Sequence, residues 1–341
     1  MKRHLNGAAA LVLGVVLLGC SRAEGDKRAA SVGPGVERTG FPDWALALYA
    51  PVPEAAGSSD GAKADLGRAL YYETLLSFDR DASCSTCHPL AHWGTTSRPL
   101  LTGNTRRASR LDIPTVYNAA TEVALFWDGR AHDVEEQVKE SIKSPLEMAM
   151  VDEATVVTRL RESAKYRAAF QAAFPDEKEP VTFGNIARAL GAFEKRLVTP
   201  SRWDQFLRGN RDVLSREEKQ GFETFVDRGC SDCHNGPAVG GRMYQIAGEV
   251  SPWPLQSDSG AYSKTRKAAD LFRFRVPPLR NIEMTGPYFD TGGITDLPEA
   301  VRLMARYQRG LTLSESDVQG IVAWLKTLTG TVPSATSNPG R

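Results

Sequence analysis

Two copies of the motif Cys-x-x-Cys-His are the residues of this chain whose types and spacing most directly predict chemistry. In such a motif the two thiols add across the vinyl groups of haem, and the adjacent histidine becomes a ligand of the iron. The copies use four of the five cysteines in the 341-residue sequence, so we predict a two-haem c-type cytochrome. Zinc bound by the cysteine pairs is a remote alternative, because zinc would not require a histidine after each pair. The predicted attachment and ligand residues are Cys84, Cys87 and His88 for haem 1, and Cys230, Cys233 and His234 for haem 2.

An internal repeat predicts that the two haem irons differ. Six residues recur at a constant offset of 163 positions: Pro114 and Pro277, Asn118 and Asn281, Phe126 and Phe289, Gly129 and Gly292, Asp133 and Asp296, and Val138 and Val301. The helix predicted to begin near Pro298 carries Met304. A thioether opposite histidine closes the sixth position of a haem iron and raises its potential. The same offset places Ser141, which is not a haem ligand, opposite Met304 in the repeat, so we predict a capped haem 2 and an open haem 1.

The histidine inventory agrees with an open haem 1. The chain has five histidines, of which His4 belongs to the predicted signal peptide and two belong to the motifs. His92 follows His88 too closely to reach the opposite haem face. His132 begins a charged helix and is interpreted as a solvated surface residue. No histidine is therefore expected as the sixth ligand of haem 1.

Polar residues after the first motif are candidates for chemistry at the open iron. Cleavage of a bound peroxide needs a group that takes a proton from one oxygen and returns it to the other. Glu147 lies between Leu146 and Met148, and burial in such an apolar setting would raise its pKa toward neutrality. A solvated glutamate at a helix end is an equally good interpretation of the sequence alone. Trp127, by its residue type, is more often a core residue than a redox relay.

The helical elements that must position these residues also occur in pairs. A Gly-x-x-x-aromatic helix precedes each motif, and an amphipathic helix follows it, over Ile186–Leu197 and Val318–Leu328. The predicted fold class is mainly α, with two tandem cytochrome c-like domains that each wrap one covalently bound haem. The predicted ranges are a signal peptide at 1–19, a lipidated flexible tether at 20–62, domains at 63–200 and 201–330, and a disordered tail at 331–341.

The N-terminus predicts export. A basic start precedes the apolar run Ala8–Leu18, which is too short to span a bilayer, and Leu17-Leu-Gly-Cys20 reads as a lipobox. Cleavage before Cys20 would leave a diacylated cysteine that holds the protein on a membrane through its lipid alone. Ordinary signal cleavage is the alternative. We expect the periplasmic side of a bacterial membrane, with outer-membrane sorting, and the formal net charge of +1 does not suggest a nucleic-acid partner.

From about Leu66 to Gly330 the chain resembles the bacterial dihaem cytochrome c peroxidases. Besides the two haem motifs, the resemblance rests on these segments: Phe126-Trp-Asp-Gly-Arg-Ala131, Pro145-Leu-Glu-Met148, Thr199-Pro-Ser-Arg202, Gly240-Gly-Arg-Met-Tyr244, Val276-Pro-Pro-Leu-Arg-Asn-Ile282 and Tyr307-Gln308. It implies that Glu147 and Gln137 act at the peroxide side of haem 1. It also implies that Met304 ligates haem 2 and that Trp127 lies between the haems.

The resemblance further implies a calcium ion between the domains. The matching positions are Asp112, which is usually asparagine in the family, and the backbone carbonyls of Thr285 and Pro287. Oxygen ligands of this kind suit calcium. Homodimers are common in the family, so a homodimer is one expected assembly.

Two departures from the family pattern affect the expected activity. Many members carry a histidine where this chain has Asn104, and that histidine blocks haem 1 until haem 2 is reduced. Its absence predicts a haem 1 that needs no reductive activation, as in the related enzymes that mature tryptophan-derived quinone cofactors. Those enzymes use tyrosine where this chain offers Met304. Asp290 stands where peroxidases commonly have histidine, and its effect cannot be read from the sequence.

The expected function is reduction of hydrogen peroxide to water with electrons from a small periplasmic cytochrome c or copper protein. One alternative is a dihaem enzyme that oxidises a protein partner through high-valent iron. Another is a dihaem electron-transfer cytochrome without a substrate.

Overall fold

A computed structural model describes residues 43–53, 61–96, 101–102, 107–108, 111–150, 152–254 and 258–333, all within one compact unit. The α-helices in these ranges are α1 (Asp43–Leu46), α2 (Gly61–Tyr71), α3 (Cys84–Cys87), α4 (Val134–Lys143), α5 (Glu153–Glu162), α6 (Ala164–Ala173), α7 (Phe183–Glu194), α8 (Arg202–Leu207), α9 (Arg216–Asp227), α10 (Tyr262–Thr265), α11 (Leu297–Leu303) and α12 (Glu315–Lys326). The strands are β1 (Leu101–Thr102), β2 (Arg107–Ala108), β3 (Tyr244–Ile246) and β4 (Arg273–Arg275), in antiparallel pairs β1–β2 and β3–β4.

A glycine crossing organises each half of this mainly helical fold. Helix α2 packs against α7 at Gly67, where an added Cβ would overlap the backbone carbonyl of Ala189. Helix α9 packs against α12 at Gly221, where a Cβ would overlap the carbonyl of Gly320. Each crossing therefore requires glycine. The presence of α2 and α7 around the first motif and of α9 and α12 around the second confirms the paired helices predicted from the sequence.

Two buried apolar clusters follow the two halves of the chain. The first lies within Leu66–Leu197, and the second, apart from Ala45 and Tyr49, lies within Trp203–Leu328. The centre of the second cluster is aromatic, with Trp203 and Trp324 fully buried at ring centroids 5.5 Å apart. The clusters separate near residue 200, where the sequence predicts a domain boundary, and that boundary stays a prediction.

Part of the predicted tether is packed rather than flexible. Helix α1 and the residues after it lie against the second half, with Ala45, Tyr49 and Val52 buried. The amide of Val52 donates a hydrogen bond to Asp204 at 2.7 Å. The predictions for the signal peptide, Cys20, Asn104 and residues 334–341 lie outside the described residues.

The backbone repeats at the offset predicted from the sequence. Asn118 and Asn281 have positive φ angles of 62° and 60°, and Phe126 and Phe289 have φ angles of 66° and 68°. The amide of residue 125 donates to the carbonyl of residue 131, and residue 288 donates to residue 294 in the same way. The repeat therefore determines backbone conformation as well as residue type.

The two repeated asparagines meet at the joint between the halves. The Nδ2 atoms of Asn118 and Asn281 donate to the hydroxyl of Thr199 at 2.8 and 3.0 Å. Their backbone amides donate to the carbonyls of Leu197 and Leu328, just beyond α7 and α12. The backbone bonds tie each asparagine to the end of the closing helix of its own half, and the Asn281–Thr199 bond crosses between the halves.

None of the helices in the described ranges has the length and apolarity needed to span a lipid bilayer.

Candidate dihaem active site

The first motif forms a short helical turn with a buried imidazole behind it. Helix α3 places Cys84 and Cys87 on one turn, and His88 follows at its C-terminal end. The Nδ1 atom of His88 lies 3.0 Å from the carbonyl oxygen of Gly94, a contact that needs a proton on Nδ1 and leaves Nε2 free to ligate iron. Burial lowers the pKa of His88, which favours the neutral form that a metal requires.

The second motif holds its histidine in a similar backbone setting. The Tyr49 hydroxyl donates to the carbonyl of His234 at 3.1 Å, as the Tyr71 hydroxyl donates to that of His88 at 2.5 Å. Burial lowers the pKa of His234 to about 4. Its Nδ1 atom is buried without a hydrogen-bond partner in the part of the chain that the structure describes. Burial therefore favours the neutral imidazole.

A mostly apolar cavity of about 250 Å³ lies beside the second motif. Its walls include Cys230, Cys233, His234 and Met304. Two thiols, a neutral imidazole and a thioether thus border one apolar space, and this donor set fits a c-type haem with histidine and methionine ligands.

Met304 stands where the α-helical backbone changes geometry. Helix α11 ends at Leu303, and Met304–Gln308 forms a π-helical turn, so the helix predicted to carry Met304 is not regular there. Single π turns occur frequently at functional sites. Met304 lines the cavity, where the sequence predicts a ligand of haem 2.

The structure brings together the two residues predicted at the peroxide side of haem 1. Gln137 and Ser141 lie one turn apart on α4, and the Gln137 amide donates to the Ser141 hydroxyl at 3.1 Å. The Ser141 hydroxyl in turn donates to Oε2 of Glu147. Ser141, identified in the sequence only as a residue that cannot ligate haem, is the link between them.

A cation completes this group. The Arg130 guanidinium lies 3.4 Å from the centroid of the Phe126 ring and donates to Asp128 at 2.9 Å. Its Nη2 atom is 4.0 Å from Oε1 of Glu147. Sequence reasoning did not assign a role to Arg130. The short Phe-Trp-Asp-Gly-Arg segment, in which two aromatic residues are followed by an acidic and a basic residue, was the available signal.

The sequence left an apolar pocket and a solvated helix end equally open as settings for Glu147. Leu146 is 47% exposed, and the Glu147 side chain is 34% exposed, because the segment after α4 turns along the surface. Met148 alone of the flanking residues is buried. Hydrogen bonding to Ser141 and the nearby Arg130 charge, rather than apolar burial, define the surroundings of the carboxylate in the described residues.

Trp127 comes from the first half but lies on the wall of the second-half cavity. Its indole Nε1 donates to the carbonyl of Asp112 at 2.9 Å, and its own carbonyl accepts from the amide of Arg275 at 3.1 Å. Both ends of the residue are therefore held by hydrogen bonds.

The predicted calcium ligands border the same cavity. Asp112, Thr285 and Pro287 all line it, and the Asp112 amide donates to the carbonyl of Asp290 at 2.7 Å. Burial raises the pKa of Asp112 to about 7. Among the described residues, no three His, Cys, Asp or Glu side chains cluster as a metal site, so a calcium ion here would depend on backbone oxygens. One carboxylate and two carbonyl positions fit that chemistry, and the site stays a prediction.

Comparison with known proteins identifies the family. The model of the di-haem cytochrome c peroxidase family matches residues 61–212. The cytochrome c551 peroxidase of Pseudomonas aeruginosa is 37% identical over 302 residues, which cover 85% of this chain and 87% of that protein. The cytochrome c551 peroxidase of Nitrosomonas europaea is 39% identical over 274 residues, with coverage of 79% and 80%.

A solved structure shows the same fold. The crystal structure of a MauG-like protein associated with microbial copper homeostasis superposes with a TM-score of 0.73 at 26% identity, covering 86% of this chain and 98% of that one. Together with the curated relatives, this places the chain in the dihaem cytochrome c peroxidase family. The resemblance read from the sequence is confirmed, and so is the enzyme class that it implies.

Proposed function

We propose that the protein reduces hydrogen peroxide in the periplasm with electrons from a small cytochrome c or copper protein. Each peroxide takes up two electrons and two protons to give two waters, so two one-electron donors are consumed per turnover. Haem held through His88 would supply an iron that binds peroxide, and haem held through His234 and Met304 would accept electrons from the donor. The residues of the chain supply proton transfer, orientation and the connection between the two sites.

Glu147 is the proposed acid–base group at the first site. Its Oε2 atom accepts the Ser141 hydrogen bond, which leaves Oε1 to take the proton from one peroxide oxygen and return it to the other. Gln137 fixes the Ser141 hydroxyl from the preceding turn of α4. Arg130 places its positive charge 4.0 Å from Oε1, on the side of the carboxylate that Ser141 leaves free.

Trp127 is the proposed connection between the sites. It belongs to the segment that carries Arg130, and it also borders the cavity of His234 and Met304. Trp127 thus lines the cavity of the second site and lies three residues before Arg130 of the first site.

The observation that carries the proposal is the unequal pair in the repeat. Position 304 places a thioether on the wall of the second cavity, whereas position 141 places a hydroxyl that binds Glu147. The second half offers a sixth ligand to a haem iron, and the first half offers groups for proton transfer. We further propose that haem 1 needs no reductive activation, because the sequence has no histidine between residues 93 and 131.

Two accessory features are part of the proposal. A lipid on Cys20 would anchor the protein to the periplasmic side of a membrane, and Cys20→Ala should then move it to the soluble periplasmic fraction. Unchanged membrane association of that variant would disprove the anchor. Calcium held by Asp112 and the carbonyls of Thr285 and Pro287 should appear as one equivalent in metal analysis, and its absence from protein purified with calcium would remove the site.

Steady-state turnover tests the function directly. Fully oxidised protein with both haems attached is mixed with hydrogen peroxide and a reduced small cytochrome c, and oxidation of the cytochrome is followed. We expect turnover without prior reduction of the enzyme, with two cytochromes oxidised per peroxide. Peroxide that reacts with neither haem would instead favour the electron-transfer cytochrome, and a rapid reaction with peroxide that no small donor can complete would favour oxidation of a protein partner.

A further inference from the structure

Two residues from the second half hold the segment that contains Trp127 by hydrogen bonds. Tyr244 on β3 and Arg275 on β4 are direct partners in the antiparallel register of that sheet. The Tyr244 hydroxyl donates to the carbonyl of Gly129 at 2.9 Å. Arg275 donates from its backbone amide to the carbonyl of Trp127 at 3.1 Å and from Nε to the carbonyl of Phe126 at 3.2 Å. Three carbonyls within four residues thus accept hydrogen bonds from one end of a two-stranded sheet.

A buried ion pair anchors this contact. The Arg275 guanidinium pairs with the carboxylate of Glu122, and the two side chains are only 2% and 3% exposed. A buried guanidinium with a carboxylate partner and a backbone acceptor has little freedom to move, because losing either would leave a buried charge unpaired. Next to it, the amide of Val123 donates to the carbonyl of Gly241 at 2.9 Å.

The Tyr244 ring also limits the same segment sterically. At Gly129, where φ is +68°, an added Cβ would overlap the Tyr244 ring. The indole of Trp127 is independently tied to the Asp112 carbonyl. The side chain and the main chain of Trp127 are therefore fixed by groups from different parts of the molecule, and the strand pair supplies the main-chain part.

We infer that Tyr244 and Arg275 are positioning residues that hold Trp127 at the wall of the second-site cavity and so set the rate of electron transfer between the haems. This inference rests on the proposed function, since it presumes that electrons pass by way of Trp127. Tyr244 is not among the residues that line the second-site cavity, whereas Arg275 lines it together with Trp127. Their effect follows from geometry, because reactions between positioned groups lose rate steeply when one group shifts by about an ångström.

The conservative test is Tyr244→Phe, which removes one hydrogen bond and keeps the ring that packs on Gly129. The stronger test is the double variant Glu122→Gln with Arg275→Gln, which removes both buried charges together. Arg273→Gln is the matched control, because Arg273 lies on the same strand with an exposed side chain. In rapid mixing of haem-2-reduced holoprotein with peroxide, we expect haem 2 oxidation to slow by about tenfold in the double variant and less in Tyr244→Phe. The control should match the wild type.

A second readout does not depend on activity. Hydrogen exchange of the amides in residues 126–130 should accelerate in both test variants and not in the control. Faster exchange without slower haem 2 oxidation would overturn the inference, and so would unchanged exchange. A wild-type protein that does not react with peroxide would instead refute the proposed function, and exchange would still report whether the strand pair holds the segment.

Combination with Trp127→Phe separates positioning from general loss of stability. If Tyr244 acts through Trp127, Tyr244→Phe should slow haem 2 oxidation in the wild-type background and add nothing in the Trp127→Phe background. Equal slowing in both backgrounds would mean that Tyr244 acts by another route and would overturn the inference.

Discussion

The two halves of this protein share a backbone plan, and one position on the equivalent helices α4 and α11 carries different side chains, Ser141 and Met304. In the first half α4 runs regularly through Ser141 to Lys143, and Ser141 binds Glu147. In the second half α11 ends at Leu303, and the π turn that follows begins with Met304 on the cavity wall. One residue and a local change of helix geometry thus distinguish a site equipped for proton transfer from a site equipped with a sixth ligand. A repeated frame can therefore carry two different chemistries.

Removing the acid–base group of the first half should have the largest effect on peroxide turnover. We expect Glu147→Gln to lower kcat for peroxide by about 10²–10⁴-fold, because an amide cannot move the proton. Both haems should remain attached, which absorbance of the haem content checks. Glu140→Gln, an exposed change on α4, is the control and should leave kcat unaffected. Near-normal kcat in Glu147→Gln would exclude this residue from proton transfer.

Exchanging the distinguishing residues tests the comparison from both sides. Met304→Ser should remove the low-spin signal of haem 2 and slow turnover by roughly tenfold, equivalent to about 1.4 kcal/mol in the barrier. Ser141→Met should separate Gln137 from Glu147 and offer haem 1 a ligand, which slows the reaction with peroxide. Electron paramagnetic resonance and stopped-flow absorbance measure the two effects. Met243→Ser, at an exposed methionine, is the control. An unchanged haem 2 signal in Met304→Ser would show that another residue ligates that iron.

Substitution of the glycine at either helix crossing should lower the free energy of unfolding to a similar extent, because both halves have the same crossing. Gly67→Ala and Gly221→Ala each force a methyl group into a carbonyl, and we expect each to lower the free energy of unfolding by about 1–3 kcal/mol. Gly61→Ala at the start of α2 meets nothing within 4 Å and should change stability by less than about 0.5 kcal/mol. Urea unfolding of the holoprotein measures all three. A large cost at one crossing and none at the other would contradict the equivalence of the halves.

A smaller effect should reveal a buried acid on α7 that has no acidic counterpart at the equivalent place of α12. Burial, followed by the nearby Glu135, raises the pKa of Glu194 on α7 to about 8 from 4.5. Leu325 is the equivalent residue on α12. Glu194 follows Phe193, which contacts the crossing at Gly67, and Leu325 follows Trp324, which contacts the crossing at Gly221. Because the folded state holds this proton more tightly than the unfolded state, stability should fall as the pH rises from about 4.5 toward 8.

Glu194→Leu should remove that dependence. We expect the free energy of unfolding of the variant, relative to that of the wild type, to be higher at pH 8 than at pH 5 by on the order of 1 kcal/mol. Urea unfolding at the two pH values measures the difference, and Glu162→Leu on the exposed side of α5 is the control. A gain that is equal at both pH values would mean that packing, not titration, causes it.

The sequence predicted most of the frame because the frame is built from local signals. The haem motifs, the helix pairs and the offset between the halves are visible in short segments, and the φ angles of Asn118 and Asn281 confirm the repeat. The sequence left the setting of Glu147 open between an apolar pocket and a solvated helix end, because flanking apolar residues do not determine which way a surface turn faces. The partners of α1 could not be predicted, since Ala45 and Tyr49 contact residues far along the chain.

The contacts that set the geometry of the site were beyond sequence reasoning for the same reason. The hydrogen bonds of Arg275 and Tyr244 to the Trp127 segment join residues more than a hundred positions apart. Ser141 was found by the repeat, yet its bond to Glu147 depends on how the chain turns after α4. Residue type and spacing identify what a group can do, whereas only the fold shows what it touches.

The spin state of the resting oxidised protein tests the difference between the halves most directly. Electron paramagnetic resonance of the untreated ferric holoprotein should show one high-spin haem and one low-spin haem. The high-spin signal should be lost when peroxide or cyanide is added, and Met304→Ser should abolish the low-spin signal. Two low-spin signals in the resting wild type would contradict an open first site and, with it, the unequal roles of the two halves.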